Sequence, residues 1–309
     1  MGRLSQSRSI VVQGVFMIPY YLLEFVRVTA STIPASISYS IASAIGDAAY
    51  CLWPRGRRNM VKSIAAVLCQ DVNSPEVRKN ARHGLRNYYK SIVDIFRYAY
   101  PKRGFFEKDI DLIGTENIDN AFSAGKGVII VGLHMGNLDL GIRALSNAGY
   151  PINAIVQNLE SDQVDRFIQK PRANSGVKLI SEADGILKML NVLKRNEAIA
   201  LMIDGRCYEK GILVKLGNKN IVVPSGMAAM ALRTGAKVIP CGLIRSTNTK
   251  FHGIIGKPIQ FKPTGDLVED ARELTQRTVL ALEGMARIFA DQWYIFHALI
   301  KDDAIVFTS

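Results

Sequence analysis

Residues 127–133 read GVIIVGL, an apolar run between glycines with no polar residue to turn toward water. A strand of this kind is buried on both faces, the situation of a central strand in a parallel sheet covered by helices. The flanking sequence supplies such a sheet. IDLIG (110–114), INAIVQ (152–157), KLI (178–180), AIALMID (198–204) and AKVIPCGLI (236–244) read as further strands. Between them, NIDNAFSAG, GNLDLGIRALSNAG, ADGILKMLNVLKRN and MAAMALRTG have helical character, and ESDQVDRFIQKPRANSG is helical as far as Pro171. The alternation predicts an α/β fold with a mostly parallel central sheet flanked by helices. A hairpin is expected within 205–226, a late antiparallel pair at KFHGIIGKPIQF, and a broken C-terminal helix over 265–300.

Upstream of the sheet the pattern is helical. Ser74 is an expected N-cap, with Pro75 at the first helical position and Glu76 in the first turn. Val77, Ala81, Leu85, Tyr88 or Tyr89, Ile92 and Phe96 then recur at three- and four-residue spacing as one apolar stripe. Residues 1–52 are mostly apolar, but Pro19, Glu24, Arg27 and Pro34 interrupt them, so no span of ~18 clean apolar residues exists for a membrane crossing. Charges inside the apolar tract also argue against a signal peptide. Interfacial helices, flanked by Arg55, Arg57 and Arg58, fit better. Two parts are therefore expected: membrane-associated helices over 1–52, and a second part over 53–309 that includes basic amphipathic helices at 53–104.

The formal charge of +12 admits nucleic acid, an anionic membrane or an anionic substrate as partner. Residues 53–107 carry twelve Lys or Arg against four acids. The basic helix there has a long apolar face and no nucleic-acid recognition motif accompanies it, which favours the membrane and substrate readings. Cys51, Cys69, Cys207 and Cys241 form no CxxC pattern; neither a zinc site nor a disulfide framework is expected, and a reducing compartment fits.

His134 follows the most apolar strand, where open α/β sheets bind their ligands. If a helix begins after it, Asp139 lies about one turn on and its carboxylate can reach back to fix the imidazole tautomer, leaving the other ring nitrogen to take a proton. A bare HxxxxD spacing arises easily by chance, and a strand-capping histidine is the competing reading. No GxSxG motif supplies a protein nucleophile, which suggests that a substrate hydroxyl attacks directly. Asp204 and Arg206 follow another buried strand and are candidates to bind sugar hydroxyls and phosphate, or to form a local ion pair. Ser225 is set to cap the next helix or help cradle an anion, and Arg172 is an anion ligand or a solvated cation. The other histidines, His83, His252 and His297, form no HExxH pattern, so no metal is expected.

Three blocks together, GVIIVGLHMGNLDLG, LMIDGRCYEKGILVKLGNKNIVVPSGMAAMALRTGAKVIP and DQWYIFHALI, resemble the bacterial lipid A biosynthesis acyltransferases. That family includes the mycobacterial phosphatidylinositol mannoside acyltransferase and sits within the wider HxxxxD glycerolipid acyltransferases. The resemblance runs from roughly 55 to 300. It implies a monomeric enzyme on the cytoplasmic face of the cytoplasmic membrane, moving a fatty acyl chain from acyl-CoA or acyl-carrier protein to a glycolipid hydroxyl without a cofactor. It implies His134 as base and Asp139 as its partner, with Gly136, Asn137, Arg172, Asp204 and Arg206 on the substrate side, where Ser225 is also expected from its own position. Many members carry Trp-Glu where this chain has Leu138 and Asp139, and Gly205, Arg206 and Cys207 also depart from the usual second block. The acyl chain is expected in an apolar channel beside the N-terminal helices. Alternatives are a lysophospholipid or glycerol-phosphate acyltransferase, whose FPEGT-like block is absent, and an inactive membrane-peripheral protein of the same fold.

Overall fold

The computed structural model describes residues 25, 27–30, 32–98, 109–156, 169, 172, 176–205, 211–297 and 299. All of residues 1–24, and all of the expected helix at 160–171 except Gln169, therefore lie outside the described residues. Helices α1 (Ala35–Leu52), α2 (Pro54–Leu68) and α3 (Pro75–Arg97) precede the sheet. The sheet region contains β1 (Ile110–Ile113), α4 (Thr115–Ser123), β2 (Val128–Gly132), α5 (Leu138–Asn147), β3 (Ile152–Val156), β4 (Lys178–Ser181), α6 (Ile186–Lys194) and β5 (Ala198–Met202). It continues with β6 (Ile212–Leu216), β7 (Lys219–Val223), α7 (Gly226–Thr234), β8 (Lys237–Arg245), β9 (Phe251–Ile255) and α8 (Leu267–Ile288).

Seven strands form one sheet in the order β1-β9-β8-β2-β5-β3-β4, and β6–β7 is a separate antiparallel hairpin. Pairing is parallel throughout the large sheet except between β8 and β9. All five residues of β2 are buried, as its composition requires. Strand alternation sends Ile129, Val131 and Ile199 into the core shared with α6, α7 and α8, whereas Val128, Ile130, Ala198 and Ala200 face α4 and α5. Those two layers make the sandwich that the alternating pattern predicts. The late antiparallel pair proves to be β8 with β9; residues 256–262 form no strand.

Pro75 opens α3 as expected, but Ser74 Oγ donates to Gln70 Oε1 at 2.9 Å instead of capping the helix. Val77, Ala81 and Leu85 are buried along the predicted stripe. Helix α1 lies antiparallel on α3: Tyr39 Oη donates to Asp94 at 2.7 Å, and Arg82 and Arg86 both donate to Asp47. Those contacts leave Ile37, Ile41, Ile45 and Leu52 of α1 exposed, at 47–81%. No helix among the described residues is long and apolar enough to cross a membrane.

Candidate active site

Strands β2 and β5 are neighbours, with Val128 opposite Ala198 and Gly132 opposite Met202. Extending that register two residues past both strand ends brings His134 opposite Asp204. Leu133 and Ile203, beside them, continue into the core shared with α6, α7 and α8. The imidazole Nδ1 lies 2.8 Å from Asp204 Oδ1. The His134 backbone N–H also donates to both carboxylate oxygens, at 3.0 and 2.9 Å, and Trp293 Nε1 donates to Oδ2 at 2.8 Å.

Asp204 is thus 1% exposed with both oxygens engaged. Burial alone would raise its pKa, but the His134 charge and these bonds outweigh burial and lower it. A carboxylate only accepts, so Nδ1 carries the proton and Nε2 keeps its lone pair. The His134 side chain is 47% exposed, and no group among the described residues meets Nε2. Burial of the ring would lower the histidine pKa; the Asp204 charge and hydrogen bond overcome it, and the pKa is raised.

The partner of His134 is therefore Asp204, not Asp139 as the spacing suggests. Asp139 lies in the first turn of α5 and both its oxygens are held by Arg172, through Nε and, at 3.1 Å, through Nη2. A carboxylate committed to a bidentate arginine is not turned back toward the imidazole. Asp204, expected to bind substrate, has no oxygen left for a sugar hydroxyl.

Gly136 and Asn137 are buried and build the loop rather than face an open site. Gly136 has φ +60°, and a Cβ there would lie 1.6 Å from the Leu243 carbonyl oxygen, so only glycine lets the loop pass β8. Asn137 caps α5 through Leu140 N, at 3.2 Å, and donates to Asp94 at 3.1 Å. Ser225 is exposed at the start of α7 and its side chain makes no capping bond. Arg206 lies outside the described residues.

The C-terminal segment is a part of the site that periodicity does not reveal. Besides Trp293, Tyr294 N donates to the His134 carbonyl at 2.8 Å, Gln292 O accepts from Gly136 N at 2.8 Å, and His297 Nε2 meets the Gly205 carbonyl at 2.9 Å. A lone tryptophan in the block DQWYIFHALI was the one available sequence signal. Beneath it, Asp94 gathers Tyr39, Asn137 and Arg245 in a fully buried cluster. The guanidinium of Arg245 also lies over the rings of Phe251 and Tyr39, at 4.7 and 5.2 Å.

An apolar cavity of about 440 Å³, counting the part open to solvent, lies between α5 and the sheet. Leu138, Gly141, Ile142 and Leu145 roof it, and Gly132 and Met202 bring it to within two residues of His134 and Asp204. This cavity lies on the face of α5; the channel expected beside the N-terminal helices involves residues 1–24, which lie outside the described residues. Burial pushes the Cys241 thiol in its wall up to about 12, so this cysteine is a neutral part of the lining and not a nucleophile. No cluster of metal-ligating side chains occurs among the described residues.

A phosphatidylinositol mannoside acyltransferase from Mycolicibacterium smegmatis is 25% identical over 164 residues, 52% of this chain and 54% of that protein. One from Mycobacterium tuberculosis is 23% identical over 163 residues, 50% of this chain and 51% of that protein. The chain spans about half the length of these relatives. The family model for bacterial lipid A biosynthesis acyltransferases matches residues 8–302, nearly the whole sequence. The chain belongs to that family.

Proposed function

We propose that this protein transfers a fatty acyl chain from an acyl thioester, acyl-CoA or acyl-carrier protein, to a hydroxyl of a membrane glycolipid. The observation that carries the reading is His134, with Nδ1 anchored by buried Asp204 and its imidazole half-exposed two residues beyond Gly132, which lines an apolar cavity. Nε2 takes the proton of the acceptor hydroxyl as its oxygen attacks the thioester carbonyl carbon. The tetrahedral oxyanion meets the N–H groups of Leu138 and Asp139, which begin α5 and have no acceptor among the described residues. The C–S bond then breaks, and the imidazolium returns its proton to the thiolate, releasing the free thiol and the ester. Asp204 stabilises the imidazolium while it exists. The acyl chain occupies the cavity under α5.

The decisive measurement is transfer from a labelled acyl thioester to a bacterial glycolipid extract. His134→Ala is expected to lower the rate at least 10²-fold, the scale of a lost general base. Unchanged transfer in that variant would show that His134 is not the base.

The exposed face of α1 is the part that meets the bilayer, beside exposed Arg55 and Arg58 at the start of α2. Arg57 is instead engaged with the Tyr50 carbonyl, at 2.9 Å, and with its ring. An apolar stripe beside cations suits an anionic membrane surface. Replacing both Ile41 and Ile45 by Glu is expected to weaken binding to phosphatidylglycerol vesicles at least about tenfold, from lost apolar burial and added repulsion. Vesicle co-sedimentation reads the effect, and equal binding would remove α1 from the membrane contact.

A further inference from the structure

The cavity runs across the strands rather than along them. Its floor comes from β5, β2, β8, β9 and β1, five neighbours in the sheet, so its long dimension is about four strand spacings, ~19 Å. One end lies by Gly132 and Met202, next to the strand ends that carry His134 and Asp204. The other reaches Leu112 on β1, an edge strand of the sheet.

Three glycines make this room. Gly132, Gly141 and Gly253 lie inside β2, α5 and β9, and none has a positive φ, so the backbone does not demand glycine at any of them. Glycine inside a regular element weakens it, and within a strand it marks a place that something approaches closely. A Cβ on Gly132 would meet Met202 Cε and Sδ at 3.1 Å, and one on Gly141 would meet Leu243 Cβ at 3.3 Å. At Gly253 a Cβ would stand 2.6 Å from Leu112 Cδ2 and 3.5 Å from Leu243 Cδ1. Leu112 and Gly253 are register partners across the β1–β9 pair. The leucine therefore folds over the glycine, and together they close the cavity at the sheet edge.

We propose that Leu112 and Gly253 are the end wall that sets the length of acyl chain the protein accepts. The chain would enter beside His134 and lie crosswise beneath α5, with its methyl end against Leu112. This rests on the acyl-transfer reading only for the identity of the ligand. Leu112→Ala removes the wall and admits longer chains; Gly253→Ala pushes the Leu112 side chain inward and favours shorter ones.

The test uses the full chain and two readouts. The first is binding of a series of saturated acyl-CoA thioether analogues, which cannot transfer, to wild type and both variants. Leu112→Ala is expected to shift preference toward longer chains by about fourfold per added methylene, and Gly253→Ala the opposite way. Leu112→Phe replaces the glycine variant if that fails to fold, since it adds bulk at the same wall. The second readout is the chain-length profile of transfer. Folded Leu112→Ala with the wild-type order of chain lengths in binding overturns the end wall. Binding that follows Leu112 while no thioester is consumed by wild type overturns the proposed reaction and leaves the end wall standing.

Discussion

Asp204→Asn is expected to lower acyl transfer by about 10²–10⁴-fold, comparable to loss of the orienting carboxylate in other histidine-based sites. Asparagine keeps the shape but loses the charge, so it no longer favours the imidazolium or the Nδ1–H tautomer. The pH profile gives a second signature. The base works as neutral imidazole, so kcat/KM falls as pH drops through the His134 pKa, which Asp204 holds above the ordinary value. Without the carboxylate, only the burial that lowers this pKa remains, and the acid limb moves to lower pH even as the plateau falls. Asp139→Asn separates the two carboxylates. Its partner is Arg172, so the acid limb is expected to stay where it is in wild type. An acid limb that moves for Asp139→Asn and not for Asp204→Asn would reverse the assignment.

Arg245→Met is expected to destabilise the fold by about 3–5 kcal/mol, because it strands the Asp94 carboxylate, fully buried, without its cation. Tyr39 and Asn137 also donate to Asp94, but neither neutralises it. Removing both charges, as Asp94→Leu with Arg245→Met, is expected to recover part of that loss, since a buried pair contributes less than either orphan costs. Urea unfolding measures each term. A single-variant loss below about 1 kcal/mol would show that water reaches the pair. The cluster also bears on the site: Asp94 holds the Asn137 amide, and Asn137 caps α5, so the first turn of that helix depends on a residue in α3.

Much of the architecture was legible in the sequence because its signals are local. An apolar run of strand length between glycines, such as 127–133, reads as a strand covered on both sides, and the helices between the runs follow from their own periodicity. His134 was legible too, from its place after that strand. The Asp139 pairing failed for the same reason that it was attractive. Spacing reports which residues are one helical turn apart, and it does not report that Arg172 takes the carboxylate from another segment. Trp293 was visible as an aromatic in the tail, but its hydrogen bond to Asp204 spans 89 residues. The cavity glycines carry no such local signal, because nothing in the sequence says that positions 132, 141 and 253 line one cavity.

By itself the sequence determined the layers, the strand that ends in His134, and the absence of a nucleophile-elbow motif, all through hydrophobic periodicity and residue chemistry. Tertiary structure decided which carboxylate meets His134. In chain order β3 and β4 stand between β2 and β5, yet in the sheet β5 returns to lie directly against β2. That adjacency places residue 204 opposite residue 134. Strand order is set by how whole faces pack and cross over, a non-local balance that no single stretch of side chains records.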